Sequence, residues 1–412
     1  MTYRFSSLLG IQRDAKIIVF SNALRSFISA ILSVSFALYL AKLGASSVQI
    51  GLAFTGRSLF SAIRSLGEGM IADRLGRKPI LLFTAVTIII GGLVYTYMTD
   101  IPILIIVAVL FSVGGGITYT PAEVAMLSEK VESKDRTMVF SLNATLSTIA
   151  SIFGSFAAAL PDVLQRFGVS ELAAYRQLFL IFAGVGAICL IFFWLLEETF
   201  TRKNASKIIP TAASVTTDAE ERKLLLKWSG VVALDNIGGA FNDLINYWFY
   251  LRFGVGPAQI GLLNGVSNIL ATFSYALGFK MAKRFGTIPA TALSRVPIVA
   301  MNIITPFLPS FEAVALARLV IASFGDIDVP LRQSYIMGVT RPESRASSYG
   351  VIQVVSRFSG SWVPSISAYM YEYVSLSIPF WGAATFQFAS LASMYILFKD
   401  IKPPEERSTV TN

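Results

Sequence analysis

Apolar segments of about 20–26 residues recur from one end of this 412-residue chain to the other. An α-helix needs about that length to cross roughly 30 Å of hydrocarbon. Backbone amides in lipid find no water, so a segment of this kind must bond within itself as a helix. Twelve such spans can be drawn, at 17–43, 48–72, 79–98, 102–128, 138–160, 177–197, 227–252, 257–282, 288–306, 313–338, 347–370 and 378–398. Charged residues make up only 14% of the chain, against about 25% in soluble domains. The expected fold class is all-α, a polytopic membrane protein of twelve transmembrane helices. The N-terminal stretch with Arg4, Arg13, Asp14 and Lys16 is amphipathic, and no small-residue cleavage site follows the first span. That span reads as a retained helix and not a signal peptide.

A net charge of +9 could suggest nucleic acid as a partner, but its distribution argues otherwise. With the N-terminus placed inside, the inner segments hold 23 of the 34 Lys and Arg residues. The outer loops hold two, Arg166 and Arg176, with Lys42 and Arg252 at outer helix ends. This asymmetry predicts a cell-membrane protein with both termini cytoplasmic, whose surroundings are the lipid bilayer. The one cysteine, Cys189, lies in the sixth span, so no disulfide forms within the chain. Histidine is absent, which excludes imidazole metal sites and imidazole proton relays. Proton chemistry near neutral pH would fall to carboxylates.

The two halves of the sequence overlay on each other. Lys42-Leu-Gly44 matches Arg252-Phe-Gly254, and Gln49-Ile-Gly-Leu52 matches Gln259-Ile-Gly-Leu262. Arg74 and Gly76 match Arg284 and Gly286, all at an offset of 210. Pro121 matches Pro330 and Arg136 matches Arg345 at 209. The chain therefore reads as a tandem of two pseudo-symmetric six-helix bundles. Residues 1–198 form the first and 227–398 the second. A polar cytoplasmic linker spans 199–226, and 399–412 is a cytoplasmic tail.

Between the second and third spans lies Gly69-Met-Ile-Ala-Asp-Arg-Leu-Gly-Arg-Lys-Pro79. Its charges are Asp73, Arg74, Arg77 and Lys78; Gly76 permits a tight turn, and Pro79 can open the next helix. This ordered pattern resembles the loop between helices 2 and 3 of the major facilitator superfamily. The resemblance covers nearly the whole chain. It implies a secondary transporter with no enzymatic activity and no cofactor, whose substrate site lies near the midplane between the two bundles. It also implies that Gly69, Asp73, Arg74, Gly76, Arg77 and Lys78 form a cytoplasmic gate. The second copy departs from the motif, with Lys283 for Asp73 and Gly286-Thr-Ile-Pro289 for Gly-Arg-Lys-Pro. The gate should be strong in the first half and weak in the second.

Thirteen charges fall inside the spans: Arg25, Arg57, Arg64, Arg295, Arg318, Arg332, Arg357, Glu68, Glu123, Asp235, Asp243, Asp326 and Asp328. At about 3 kcal/mol each, facing lipid would cost about 40 kcal/mol, more than a marginally stable fold tolerates. Most must face one another or a wet cavity. In the family, helices 1, 4, 7 and 10 line the central cavity, and here they carry Arg25, Glu123, Asp235 and Arg332. Under the repeat Arg25 aligns with Asp235 and Glu123 with Arg332, each with opposite sign. A neutral cluster crossing the two bundles is expected, either as gate and substrate contact or as packing salt bridges. Asp328 and Arg332 are spaced i,i+4 and can pair. Arg64 and Glu68 can also pair, with Arg357 on helix 11 at comparable depth. Arg295 and Arg318 are expected to snorkel to helix ends.

Asp235, Gly239, Asn242 and Asn246 share one face of a continuous seventh helix, followed by Tyr247, Trp248 and Tyr250. Asn22, Ser26, Ser29 and Ser33 repeat that spacing on the first helix. These stripes suit a hydrogen-bonding solute, or else polar helix contacts and an interfacial aromatic belt. The substrate-cavity candidates are Asn22, Arg25, Ser29, Ser33, Glu123, Asp235, Asn242, Asn246, Asp326, Arg332 and Arg357. Asp235, Asp243 and Asp326 are the candidates for proton coupling, since a desolvated carboxylate without a partner binds protons more readily.

No nucleotide-binding loop, nucleophile elbow or metal-ligand cluster appears, so ATP-driven transport and hydrolysis are excluded as readings. Glycines such as Gly114-Gly-Gly116 and Gly154 would allow close helix approach. The fifth span lacks the internal proline usual in the family's drug antiporters, and Leu196-Glu-Glu-Thr199 only partly matches the sugar porters. The expected function is uptake of a small polar or zwitterionic solute by proton symport, by a monomer. Efflux by proton antiport and a non-transporting sensor on the same fold are the alternatives.

Overall fold

The computed structural model describes residues 12–113, 120–132, 135–198, 219–340 and 345–399. The described residues are helical apart from turns and short connections. The helices are α1 (Arg13–Lys42), α2 (Ser47–Leu75), α3 (Lys78–Tyr97), α4 (Ile101–Phe111), α5 (Pro121–Glu129), α6 (Arg136–Ala157), α7 (Leu160–Arg166) and α8 (Glu171–Trp194). The second half holds α9 (Ala219–Ala240), α10 (Ile245–Phe253), α11 (Pro257–Phe285), α12 (Thr287–Ile304), α13 (Phe311–Gly325), α14 (Asp328–Val339), α15 (Arg345–Ser359), α16 (Val363–Tyr373) and α17 (Ile378–Phe398). Six helical stretches among the described residues are long and apolar enough to cross a membrane unaided: 13–42, 78–97, 138–166, 171–194, 257–285 and 287–307. α9 begins at Ala219, so residues 219–226, expected in the linker, are the first turns of a helix.

Several expected spans are interrupted. The seventh divides into α9 and α10 at residues 241–244, the tenth into α13 and α14 at 326–327, and the eleventh into α15 and α16 at 360–362. In the fourth span α4 stops at Phe111 and α5 starts at Pro121. Pro330 and Pro364 lie in the first turns of α14 and α16, where a missing N–H ends the ladder from the preceding helix. At the α9–α10 break no proline is needed. The amides of Asn242, Asp243 and Ile245 bond three residues back, to Gly239, Ala240 and Asn242. The backbone is thus kept satisfied through a tight turn, as membrane depth requires.

The chain forms two compact units. The first comprises Met1–Ala45, Phe60–Ile208 and Gly256–Gly265, and the second Ser46–Leu59, Ile209–Val255 and Val266–Asn412. Each unit therefore contains the first turns of a helix whose remainder belongs to the other. These two segments begin at positions 46 and 256, related by the repeat offset of 210.

In the first unit α1 packs on α6 and α8, and α3 on α8. An aromatic cluster of Phe36, Tyr39, Tyr95, Tyr175 and Phe179 fills one end. Its buried hydroxyls are satisfied, Tyr39 donating to the Tyr95 carbonyl at 2.9 Å and Tyr95 to that of Leu104 at 2.7 Å. In the second unit α9 packs on α15 and α17, and α12 on α13, α14 and α17. Trp228 stacks on Tyr335 with ring centres 5.0 Å apart, and Phe398 meets Trp228 edge-on. Trp248 is buried against Phe249, Phe253 and Phe380 and donates to the Leu376 carbonyl at 2.9 Å. Tyr247 shares a hydrogen bond with Ser47 at 3.0 Å. Tyr247 and Trp248 are therefore core of the second unit.

A charge ring and a polar cavity

The strongest electrostatic feature lies wholly in the second unit. Asp235 on α9 accepts from Arg295 of α12 at 2.8 Å and from Arg332 of α14 at 2.7 Å. Asp328, the first residue of α14, accepts from the same two arginines at 2.5 Å and 2.9 Å. Two acids and two bases thus alternate in a closed ring with no net charge. Asp328 is fully buried and Asp235 nearly so. Buried carboxylates are tolerable only when paired and bonded in this way. The i,i+4 pair of Asp328 and Arg332 is present as expected. The ring clamps α14 onto α9 and α12 immediately after the helix break.

A cavity of about 300 Å³ opens beside it, lined among others by Ser58, Asp235, Asn236, Asp243, Arg295, Ser356 and Arg357. A second, of about 160 Å³, touches Arg332 and shares Asn236 and Ser356 with the first. The ring therefore has one cavity against Asp235 and Arg295 and another against Arg332. Asp243 lies in the α9–α10 break and Arg357 near the end of α15. Neither makes an ion pair among the described residues. The cavity thus presents an acid, Asp243, which feels the charge of Arg57, and a base, Arg357, with amide and hydroxyl groups between.

The first unit has its own buried pair. Arg25 of α1 and Glu123 of α5 are fully buried and form a short ion pair. The second oxygen of Glu123 accepts from the Thr120 amide at 2.9 Å, while the Thr120 hydroxyl accepts from the Glu123 amide at 3.3 Å. This capping box starts α5. Glu123 is therefore both a helix-start residue and the counter-ion of Arg25. Asn22 donates to Asn143 at 3.1 Å and Ser147 at 2.9 Å on α6. That makes it a helix–helix contact inside the unit.

Several expectations are corrected here. Arg25 and Asp235 were expected to belong to one cluster crossing the bundles. Arg25 instead closes on Glu123 inside the first unit, and Asp235 on Arg295 and Arg332 inside the second. Arg295 does not snorkel. It stands mid-way along α12, about 12 Å from either end by helical rise, with its head held by Asp235 and Asp328. Arg318 is equally central in α13 and donates to Asn242 at 3.2 Å. Asn242 and Asp243 sit in a turn, so the seventh-helix stripe does not run unbroken to Asn246. Asp326 lies half-buried in the α13–α14 turn. Ser29 and Ser33 stay on α1, and Ser33 bonds back to the Ala30 carbonyl.

At the gate motif Gly76 adopts φ +93°, a backbone that a side chain would strain. Arg77 pairs with Glu129, and Glu198 accepts from the amides of Arg77 at 3.3 Å and Lys78 at 2.9 Å. Glu198 thereby caps the start of α3. The side chains of Glu68, Asp73 and Arg74, and Gly69 with them, lie outside the described residues, as do Gly114 to Gly116.

Comparison with known proteins agrees with this architecture. The family model described as Major Facilitator Superfamily matches residues 18–238 and 228–411. The chain is 21% identical over 268 residues to the uncharacterized membrane protein YJR124C of Saccharomyces cerevisiae, covering 58% of this chain and 60% of that one. It is 24% identical over 162 residues to the uncharacterized MFS-type transporter YhcA of Bacillus subtilis, covering 38% and 29%. The chain thus spans less than two thirds of each of these relatives. Among solved structures, the nucleoside transporter NupG superposes with a TM-score of 0.73 at 14% identity, covering 94% of this chain and 100% of that one. A D-xylose-proton symporter gives 0.69 at 13%, covering 94% and 97%. At such identities the likeness is one of fold, and both folds are those of twelve-helix carriers. Matched along nearly its whole length, this multi-pass membrane chain belongs to the major facilitator superfamily.

Proposed function

We propose that the chain carries a small polar or zwitterionic solute across the cell membrane by alternating access, with protons moving in the same direction. The supporting observation is the 300 Å³ cavity with an acid, Asp243, and a base, Arg357, in its wall. A site of this size holds a small molecule. A dipolar solute would set a carboxylate or other acceptor against Arg357 and its donors against Asn236 and Ser356, leaving Asp243 free to carry the proton and the neutral ring undisturbed. Asp243 is the leading proton carrier, because a carboxylate at membrane depth without an ion pair is stable only when it can take up a proton. Asp235 is held by two guanidinium groups and is poorly suited to release and rebind one. Residues 1–198 and 227–398 serve as the two moving bundles of a monomer, with both termini cytoplasmic.

Proteoliposomes with an imposed inward proton gradient test this reading. Solutes from a panel of amino acids, betaines, sugars and nucleosides should be taken up with internal acidification. Asp243→Asn should abolish the acidification while solute exchange without a gradient persists. Alkalinisation on solute addition would establish antiport. No proton movement with any solute would refute coupling.

A further inference from the structure

We infer that Asp162 and Glu372 are a matched pair of carboxylate clasps that grip α11 and α2 by their N-termini, and that the transport cycle opens both. Asp162, on α7, accepts from the Ala258 amide at 2.8 Å. Glu372, on α16, accepts from the Val48 amide at 2.8 Å. Val48 and Ala258 occupy the same place in their helices and are 210 residues apart. So are the two carboxylates, 162 and 372. The equivalence extends to the caps. Gln49 turns back to accept from the Ser46 amide at 2.9 Å, and Gln259 accepts from the Gly256 amide at 3.0 Å. Each helix start thus satisfies part of its own donor set and leaves the amide of its second residue to a carboxylate from elsewhere. That amide lies at the positive end of the helix, so the bond is charge-assisted.

A second, independent feature accompanies each clasp. One turn into α2 and α11 stand Gly51 and Gly261. A Cβ on Gly51 would lie 2.4 Å from the Ala368 Cβ, and one on Gly261 would lie 2.4 Å from the Ser155 carbonyl oxygen and 3.2 Å from the Ala158 Cβ. Ala158 and Ala368 are again 210 apart. Each clasp therefore consists of a carboxylate bond at the helix start and a close backbone approach one turn below.

Both clasps join the two halves of the sequence, α7 to α11 and α16 to α2. Both also sit at the ends of these helices remote from the Gly76 and Gly286 turns. A carrier whose halves rock about a central site has to part such contacts in one of its end states. A partly exposed charge on a helix end is strong enough to bias that step and weak enough to be broken in every turnover. The same carboxylate-to-amide bond at two repeat-related places applies the bias at both.

The test uses the full chain in nanodiscs, with Cys189→Ala as background and nitroxide labels at Phe167→Cys and Val374→Cys. Both labelled positions are exposed, one beyond α7 and the other just past α16. Pulsed electron spin resonance then reads the distribution of label separations, which needs neither a known solute nor any transport. Asp162→Ala and Glu372→Ala should each shift the ratio of conformers toward the longer separation by about fivefold. The double variant should shift it by about the product, since the two sites are independent. Asp162→Asn and Glu372→Gln, which keep an acceptor but lose the charge, should fall between. Gly261→Ala, which leaves the carboxylates intact, should move the ratio in the same direction. An unchanged distribution in both alanine variants, with monodisperse elution and an unfolding midpoint near that of the parent, would overturn the proposal. A double variant no different from either single would overturn it too.

Discussion

Replacing Arg295 by methionine would remove two of the four ion contacts in the ring of Asp235, Arg295, Asp328 and Arg332, those of 2.8 Å and 2.5 Å. Asp235 and Asp328 would then share the single guanidinium of Arg332, leaving one net negative charge in a site where Asp328 is fully buried. Breaking a buried pair by deleting one partner costs about 3–5 kcal/mol, because the remaining charge stays desolvated. Adding Asp328→Asn to Arg295→Met restores neutrality and leaves the Asp235–Arg332 bond of 2.7 Å intact. The double variant should therefore cost about 1–3 kcal/mol less than the sum of the two single variants, a coupling typical of residues in one network. Thermal unfolding midpoints in detergent micelles, or titration with a denaturing detergent, would measure it. If the two substitutions simply add, the four residues are not one electrostatic unit, and the account of α14 as clamped by a neutral ring fails.

Two further outcomes can be checked by related means. Thr120→Val removes one half of the capping box of α5 and should cost about 1 kcal/mol, whereas Glu123→Gln strips the fully buried Arg25 of its counter-ion and should cost about 3–5 kcal/mol; unfolding midpoints that rank them the other way would contradict the dual role of Glu123. Glu198→Ala should speed hydrogen exchange at the amides of Arg77 and Lys78 by about fivefold, by deleting their acceptor, while the Arg77–Glu129 pair persists; unchanged exchange would show that Glu198 does not hold the start of α3.

The twelve spans were legible because hydrocarbon thickness imposes a length that sequence records directly. The interruptions were not. Residues 241–244 and 326–327 follow or contain Gly, Asn and Asp, and Pro330 lies just beyond the second break, but such residues are common inside membrane helices and do not by themselves fix where the turn falls. Charge partners were harder still. Their place inside apolar spans marked Arg25 and Asp235 as buried, but their opposite signs under the repeat carry no information on which side chain each one meets. Arg295 was misjudged for a simpler reason, its distance from the helix ends. Counting eight residues from Thr287 and nine to Ile304 places it at mid-helix, where a buried counter-ion and not a helix end is the nearer partner. Asp162 and Glu372 look like ordinary residues near span ends. Only the offset of 210, applied to polar positions as well as apolar ones, would have singled them out.

The exchange of helix starts between the two compact units has a consequence for how this polypeptide can be divided. A cut in the linker would yield two fragments, each missing about ten residues or more that finish its own interior and each carrying the equivalent piece of its sibling. Neither product would be a self-sufficient folding module. Synthesis of both together would be needed for either unit to regain its full set of residues.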